Sequence, residues 1–99
     1  MSKKITLFCS AGMSTSLLVN KMREEAKKNG KDYEINAYSL NDVPQYGPDA
    51  DVVLLGPQVR FAVAKVKSQL PGKPVDVIDM RSYGLMDGKA ALALAEKYL

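Results

Sequence analysis

The chain reads as an α/β protein built on a four-stranded parallel sheet of order 2-1-3-4 with helices on both faces. Three observations predict this. Residues 5–8 and 52–55 are runs of strand length, apolar but for Thr6, with little of the polar alternation of a half-exposed strand, as expected for strands covered on both faces, and Val75, Val77 and Ile78 mark another strand. Helical periodicities or long connections separate the strands, and parallel neighbours need crossovers of roughly a dozen residues or more. With right-handed crossovers, the first strand then lies beside both the second and the third, and the chain reverses direction across the sheet between strands one and three.

The elements follow in order. Ile5, Thr6, Leu7 and Phe8 form a buried strand ending at Cys9, and Leu17, Leu18, Met22 and Ala26 recur at helical spacing after it. Lys27 and Lys28 suit the negative end of that helix, and Gly30 closes it. Tyr33, Ile35 and Ala37 alternate with polar residues, as in an edge strand. Residues 41–50 carry Pro44, Gly47 and Pro48, so this connection has room for one short helical turn at most. The third strand ends at Gly56-Pro57, and Val59, Ala62, Val63, Val66 and Leu70 line the next helix until Pro71 and Gly72 stop it. Val75, Val77 and Ile78 form the fourth strand. Asp79 is expected to cap the turn after it. Asp87 is expected to cap a final helix whose buried stripe is Ala91, Leu94, Ala95 and Tyr98.

Ninety-nine residues are read as one domain, residues 1–99, with 46% hydrophobic and 25% charged residues, ordinary globular values. No apolar run approaches the roughly 20 residues of a spanning helix, and Met1-Ser2-Lys3-Lys4 leads into a strand rather than a secretory signal. A cytoplasmic location with no membrane insertion is expected. The net charge of +3 comes from scattered lysines without interleaved aromatics, which argues against nucleic acid. A charged domain with no evident apolar seam is expected to be a monomer. One cysteine allows no internal disulfide, and the absence of histidine excludes a histidine base, ligand or phosphohistidine within this chain. No metal and no cofactor is called for.

Cys9 is the remaining strong nucleophile. It stands between a strand and a helix, followed by Ser10, Ala11, Gly12, Met13, Ser14, Thr15 and Ser16. Small residues and glycine let successive backbone N–H groups face one concavity, an arrangement that binds anions. A helix N-terminus there favours the thiolate, the nucleophilic form of the side chain. One of the three hydroxyls from 14 to 16 is expected to serve as the helix N-cap. Beyond the carboxyl ends of strands one and three, Cys9 meets Gly56, Pro57 and Gln58, the crevice where open sheets of this kind hold ligands.

The segment Leu-Phe-Cys-Ser-Ala-Gly-Met-Ser-Thr-Ser resembles the active-site segment of enzyme IIB domains of the lactose/cellobiose (diacetylchitobiose) class, from the bacterial phosphoenolpyruvate-dependent sugar phosphotransferase system. The resemblance extends through residues 51–58, residues 73–79 and Tyr83-Gly84. It implies that Cys9 accepts a phosphoryl group from a phosphohistidine of enzyme IIA and transfers it to a sugar held by membrane enzyme IIC. The sugar implied is a β-linked disaccharide such as cellobiose, chitobiose or lactose. Residues 10–16 would then hold the phosphate. On the carboxyl-end rim stand Met13, Pro57, Gln58, Tyr83 and Gly84, expected to face the partners; Tyr83 there contacts either a partner or the cysteine loop, and Tyr83 and Met13 suit an interface and ordinary packing equally.

Two other readings share the scaffold. Low-molecular-weight tyrosine phosphatases have the same three-layer architecture and a Cys-x5-Arg loop, but the sixth residue after Cys9 is Thr15 and no arginine precedes Arg23. The guanidinium that would grip the transferring group is missing, and so is an Asp-Pro loop to protonate a leaving group. A receiver module would need an acidic cluster at the first strand's end, where cysteine stands instead.

Overall fold

The computed structural model describes the backbone of residues 2–10 and 12–99, and the side chains of all of these except residues 12–14. The strands β1 (Lys3–Cys9), β2 (Tyr33–Ser39), β3 (Val52–Leu55) and β4 (Val75–Val77) form one sheet in the order β2-β1-β3-β4. All three pairings are parallel, with Cys9 opposite Ser39 and Phe8 opposite Leu55. The crossovers carry α1 (Gly12–Lys28), α2 (Val43–Tyr46) and α3 (Val63–Gln69), with 3-10 turns at Leu40–Asp42 and Pro57–Ala62, and α4 (Met80–Gly84) and α5 (Gly88–Glu96) follow the last strand.

The two-residue period of the strands divides the core between the sheet's faces. Ile5, Leu7, Val52 and Leu54 pack with Leu18, Val19 and Met22 of α1 and with Ala91, Leu92 and Ala95 of α5. Phe8, Val53, Leu55 and Val75 pack on the other face with Val43, Val59, Ala62, Val66 and Leu70. Central β1 is therefore apolar at successive positions because both faces are covered. Edge β2 buries only Ile35 fully, as its alternation predicts.

Three local expectations are corrected. Leu17 is exposed, and Val19 takes its place beside Leu18 against the sheet. The α5 stripe is Gly88, Ala91, Leu92 and Ala95, because the helix stops at Glu96; Tyr98 lies past its end and donates its hydroxyl to Asp76 Oδ2 at 2.6 Å. The link from β4 to α5 is not simply a connection, since α4 forms there. The Asp79 side chain accepts from Ser82 N–H and Ser82 Oγ, capping α4 as expected, and those donors hold its carboxyl below the usual range. Asp87 caps α5 through Ala90 N–H, also as expected. Gly30 sits past α1 at φ 70°, the left-handed conformation that closes a helix at little steric cost.

Candidate active site around Cys9

Cys9 lies two residues beyond Leu7 at the end of β1, so the strand period turns its side chain toward the face covered by α1 and α5. It is buried there. The Thr15 hydroxyl, on the first turns of α1, donates to Cys9 Sγ at 2.6 Å. Thr15 is 1% exposed, with Thr6 one of two buried polar residues among those described. Tyr83, carried by α4, brings its Oη to 3.1 Å from Thr15 Oγ1. Thr15 thus links the sulfur at the end of β1 to a tyrosine 68 residues further along the chain, and among the described residues no buried side-chain polar atom lacks a partner.

Gly56 makes the fourth wall. Its N–H donates to Phe8 O at 3.0 Å, which holds the end of β3 against the end of β1. A Cβ at this position would lie 3.3 Å from Cys9 Cβ and 3.7 Å from Tyr83 Cε2. Glycine therefore permits a close approach here rather than an unusual backbone, its φ being −65°. Pro57 and Gln58 follow at the surface.

The helix begins at Gly12, ahead of all three hydroxyls, so none of them is its N-cap. Thr15 satisfies its hydroxyl on the sulfur and on Tyr83 instead. Ser10 and Ser16 are exposed, whereas Ala11 and the side chains of Met13 and Ser14 lie outside the described residues. Of the two readings of Tyr83, packing holds: it is 6% exposed and belongs to the hydrophobic core, so it is no rim aromatic, while its neighbour Gly84 does reach the surface. The signal that was missed is the amphipathic turn after Asp79, whose cap orients Tyr83 inward. Exposed apolar side chains do occur near the carboxyl ends of the strands, at Leu17, Phe61, Met80 and Leu85, so the surface is less uniformly polar than its composition implies.

No arginine reaches the cysteine from α1. The Arg23 guanidinium donates to Ile35 O at 2.6 Å and to Asn36 Oδ1 at 3.0 Å, bracing α1 against β2. At the position where a phosphatase loop carries its arginine stands the Thr15 hydroxyl, a neutral donor directed at sulfur.

The family model of the lactose/cellobiose-specific IIB subunit of the PTS system matches residues 4–94. The chain is 50% identical to the galactose-specific EIIB component of Lactococcus lactis subsp. cremoris, over 98% of this chain and 96% of that protein. Identity and coverage are the same for the cellobiose-specific EIIB component of Lactococcus lactis subsp. lactis. Among solved structures, the cellobiose-specific IIB component from Borrelia burgdorferi superposes with a TM-score of 0.83 at 35% identity, covering 99% of this chain and 92% of that one. Sequence and fold agree over nearly the whole length: the chain belongs to the lactose/cellobiose-specific IIB subunits of the PTS sugar phosphotransferase system.

Proposed function

We propose that residues 1–99 act as one cytoplasmic, monomeric phosphoryl carrier in sugar uptake, with Cys9 as the carrying nucleophile. The Cys9 thiolate attacks the phosphorus of a phosphohistidine on enzyme IIA; the S–P bond forms and the N–P bond breaks, its electron pair passing to the imidazole. A hydroxyl oxygen of a sugar bound by enzyme IIC then attacks the same phosphorus. The S–P electrons return to sulfur, and the sugar's hydroxyl proton passes to a base on the acceptor side. The observation that carries this reading is the buried hydroxyl of Thr15 donating to Cys9 Sγ, because a charge-assisted donor stabilises the thiolate both as nucleophile and as leaving group.

The phosphate would be received by the backbone N–H groups at the head of α1, with Ser10, Ser14 and Thr15 as hydroxyl donors. Without a guanidinium the cradle grips the transition state weakly, which suits a carrier that must keep its phosphocysteine from water. Pro57, Gln58, Gly84 and Met13 form the docking rim, and exposed Phe61, Met80 and Leu85 add apolar area to it. Both partners would use this rim in turn. A β-linked disaccharide such as cellobiose, chitobiose or lactose is the proposed acceptor; overall identity does not select among sugars, since the galactose- and cellobiose-specific relatives are equally similar.

The test is the mass of the protein after incubation with phosphorylated IIA. One added phosphoryl group is expected on the wild type, stable in the isolated protein, and none on Cys9→Ser, whose hydroxyl stays protonated at neutral pH. Uptake by Cys9→Ser would remove Cys9 as the carrier. Rapid hydrolysis of the isolated phosphoprotein would point to a phosphatase instead.

A further inference from the structure

The hydroxyl pair behind Cys9 has a proton inventory with a consequence for the sulfur. A threonine hydroxyl has one hydrogen and two acceptor lone pairs. In this site that hydrogen points at Cys9 Sγ, 2.6 Å away. The 3.1 Å contact between Thr15 Oγ1 and Tyr83 Oη is then one in which the tyrosine donates. Thr15 and Tyr83 are both buried, at 1% and 6% exposure, so bulk water has little room to replace either donor.

We propose that Tyr83 is a positioning residue for Cys9: by donating to Thr15 Oγ1 it turns the single Thr15 hydrogen onto the sulfur and favours the thiolate. Its bearing on phosphoryl transfer rests on the carrier reading above, but its effect on the sulfur does not. The direction of the chain is what matters. Against a thiolate, which only accepts, the hydrogens can run one way, from Tyr83 to Thr15 to sulfur. Against a thiol, which has a hydrogen of its own, the chain can run either way and gains less. Chained donors polarise one another, so the second hydroxyl strengthens the first. The fold fixes this geometry from two sides. Asp79 caps α4 and thereby orients Tyr83, and Gly56 lets the tyrosine ring and the cysteine stand against the same point of the β3 end.

The test measures the rate of Cys9 alkylation by iodoacetamide from neutral to alkaline pH, with thermal melting in parallel. Wild type is compared with Tyr83→Phe, Thr15→Ser, Thr15→Val and the double variant Tyr83→Phe/Thr15→Val. Tyr83→Phe keeps the ring and should lower the ratio of neutral rate to alkaline plateau about threefold, as expected for losing a neutral hydrogen bond one step from the sulfur. Thr15→Val should lower it at least as far, Thr15→Ser should stay near wild type, and the double variant should match Thr15→Val, because the tyrosine acts only through the threonine. The assignment is overturned if Tyr83→Phe leaves the ratio unchanged, raises the rate alike at every pH, or lowers it equally with and without Thr15. Thr15→Ser and Tyr83→Phe decide the matter even if Thr15→Val fails to fold. A wild type that takes no phosphoryl group from IIA while the cycle holds would remove the carrier reading and leave the role of Tyr83 standing.

Discussion

Replacing Gly56 with alanine tests whether the close approach of β3 to Cys9 serves the chemistry. The backbone at Gly56 has φ −65° and ψ 151°, a region open to every residue, so the new methyl group acts only through contact. It would meet Gln58 Oε1 at 3.0 Å, Cys9 Cβ at 3.3 Å and Tyr83 Cε2 at 3.7 Å. Gln58 is exposed and can swing away, and the tyrosine contact is ordinary. Cys9 is held in the central strand, so relief comes from a shift of a few tenths of an ångström at the nucleophile. Overpacking of this modest size costs about 1 kcal/mol, partly offset by about 0.4–1 kcal/mol from a less flexible unfolded chain. Net stability should therefore fall by about 1 kcal/mol or less. Misplacement by a full ångström costs roughly a hundredfold in rate, so a few tenths should slow phosphoryl acceptance about fourfold. The assay pairs single-turnover transfer from phosphorylated IIA with urea unfolding. Gly88→Ala is the contrasting control: its methyl group would stand 2.5–2.7 Å from the backbone and Cβ of Lys21, where α1 and α5 must part. That should cost about 2–3 kcal/mol with little effect on the transfer rate of the folded fraction. A Gly56→Ala protein that transfers at the wild-type rate, or that is destabilised as much as Gly88→Ala, would refute the reasoning.

Other outcomes are expected elsewhere. Burial and the 2.7 Å hydrogen bond to Glu96 raise the Tyr33 pKa from 10.0 to about 12, so the fold favours the neutral phenol. Its contribution is complete below about pH 10, where the unfolded chain also keeps the proton, and is lost as pH rises toward about 12. Tyr33→Phe should flatten that alkaline decline in urea midpoint; an identical decline in wild type and variant would contradict the linkage. Charge-bearing replacements at Gln58 and Phe61 should slow both transfer from IIA and transfer to sugar, while changes at Lys27 or Lys28 should alter neither. Simultaneous binding of IIA and IIC, seen by titration, would show that the rim is not shared. Phosphorylation should move the amide chemical shifts of Ser10, Thr15 and Ser16 and little in β2 or α3, because a dianion at the head of α1 interacts with nearby donors and not with distant strands. Comparable shifts across the sheet would argue for a different phosphate site.

The clearest elements in the sequence were those whose signal is local. A strand covered on both faces must be apolar at successive positions, which identified β1 and β3, and the alternation of Tyr33, Ile35 and Ala37 marked an edge. Asp79 and Asp87 could be read as caps because a capping carboxylate needs only N–H groups a few residues ahead. Failures occurred where a helical stripe was extended past its end, as at Tyr98, or where a rotation by one residue, about 100°, decides exposure, as at Leu17. The five residues of α4 offer too short a period to stand out from a loop, and with that element unrecognised the choice between an exposed and a packed Tyr83 stayed open.

By itself the sequence determined the sheet, its order and the position of Cys9 at the end of its central strand, because strand period, crossover length and cap chemistry act over a few residues. Only the tertiary structure decided what surrounds the sulfur. Thr15 meets Cys9 six residues away, but Tyr83 meets Thr15 across 68 residues, and no periodicity relates positions so far apart. The contact arises because the two-residue period of β1 turns Cys9 toward the α1 face, Gly56 leaves room beside it, and Asp79 sets α4 so that the Tyr83 hydroxyl is buried within reach of Thr15 Oγ1, where a buried hydroxyl takes a partner.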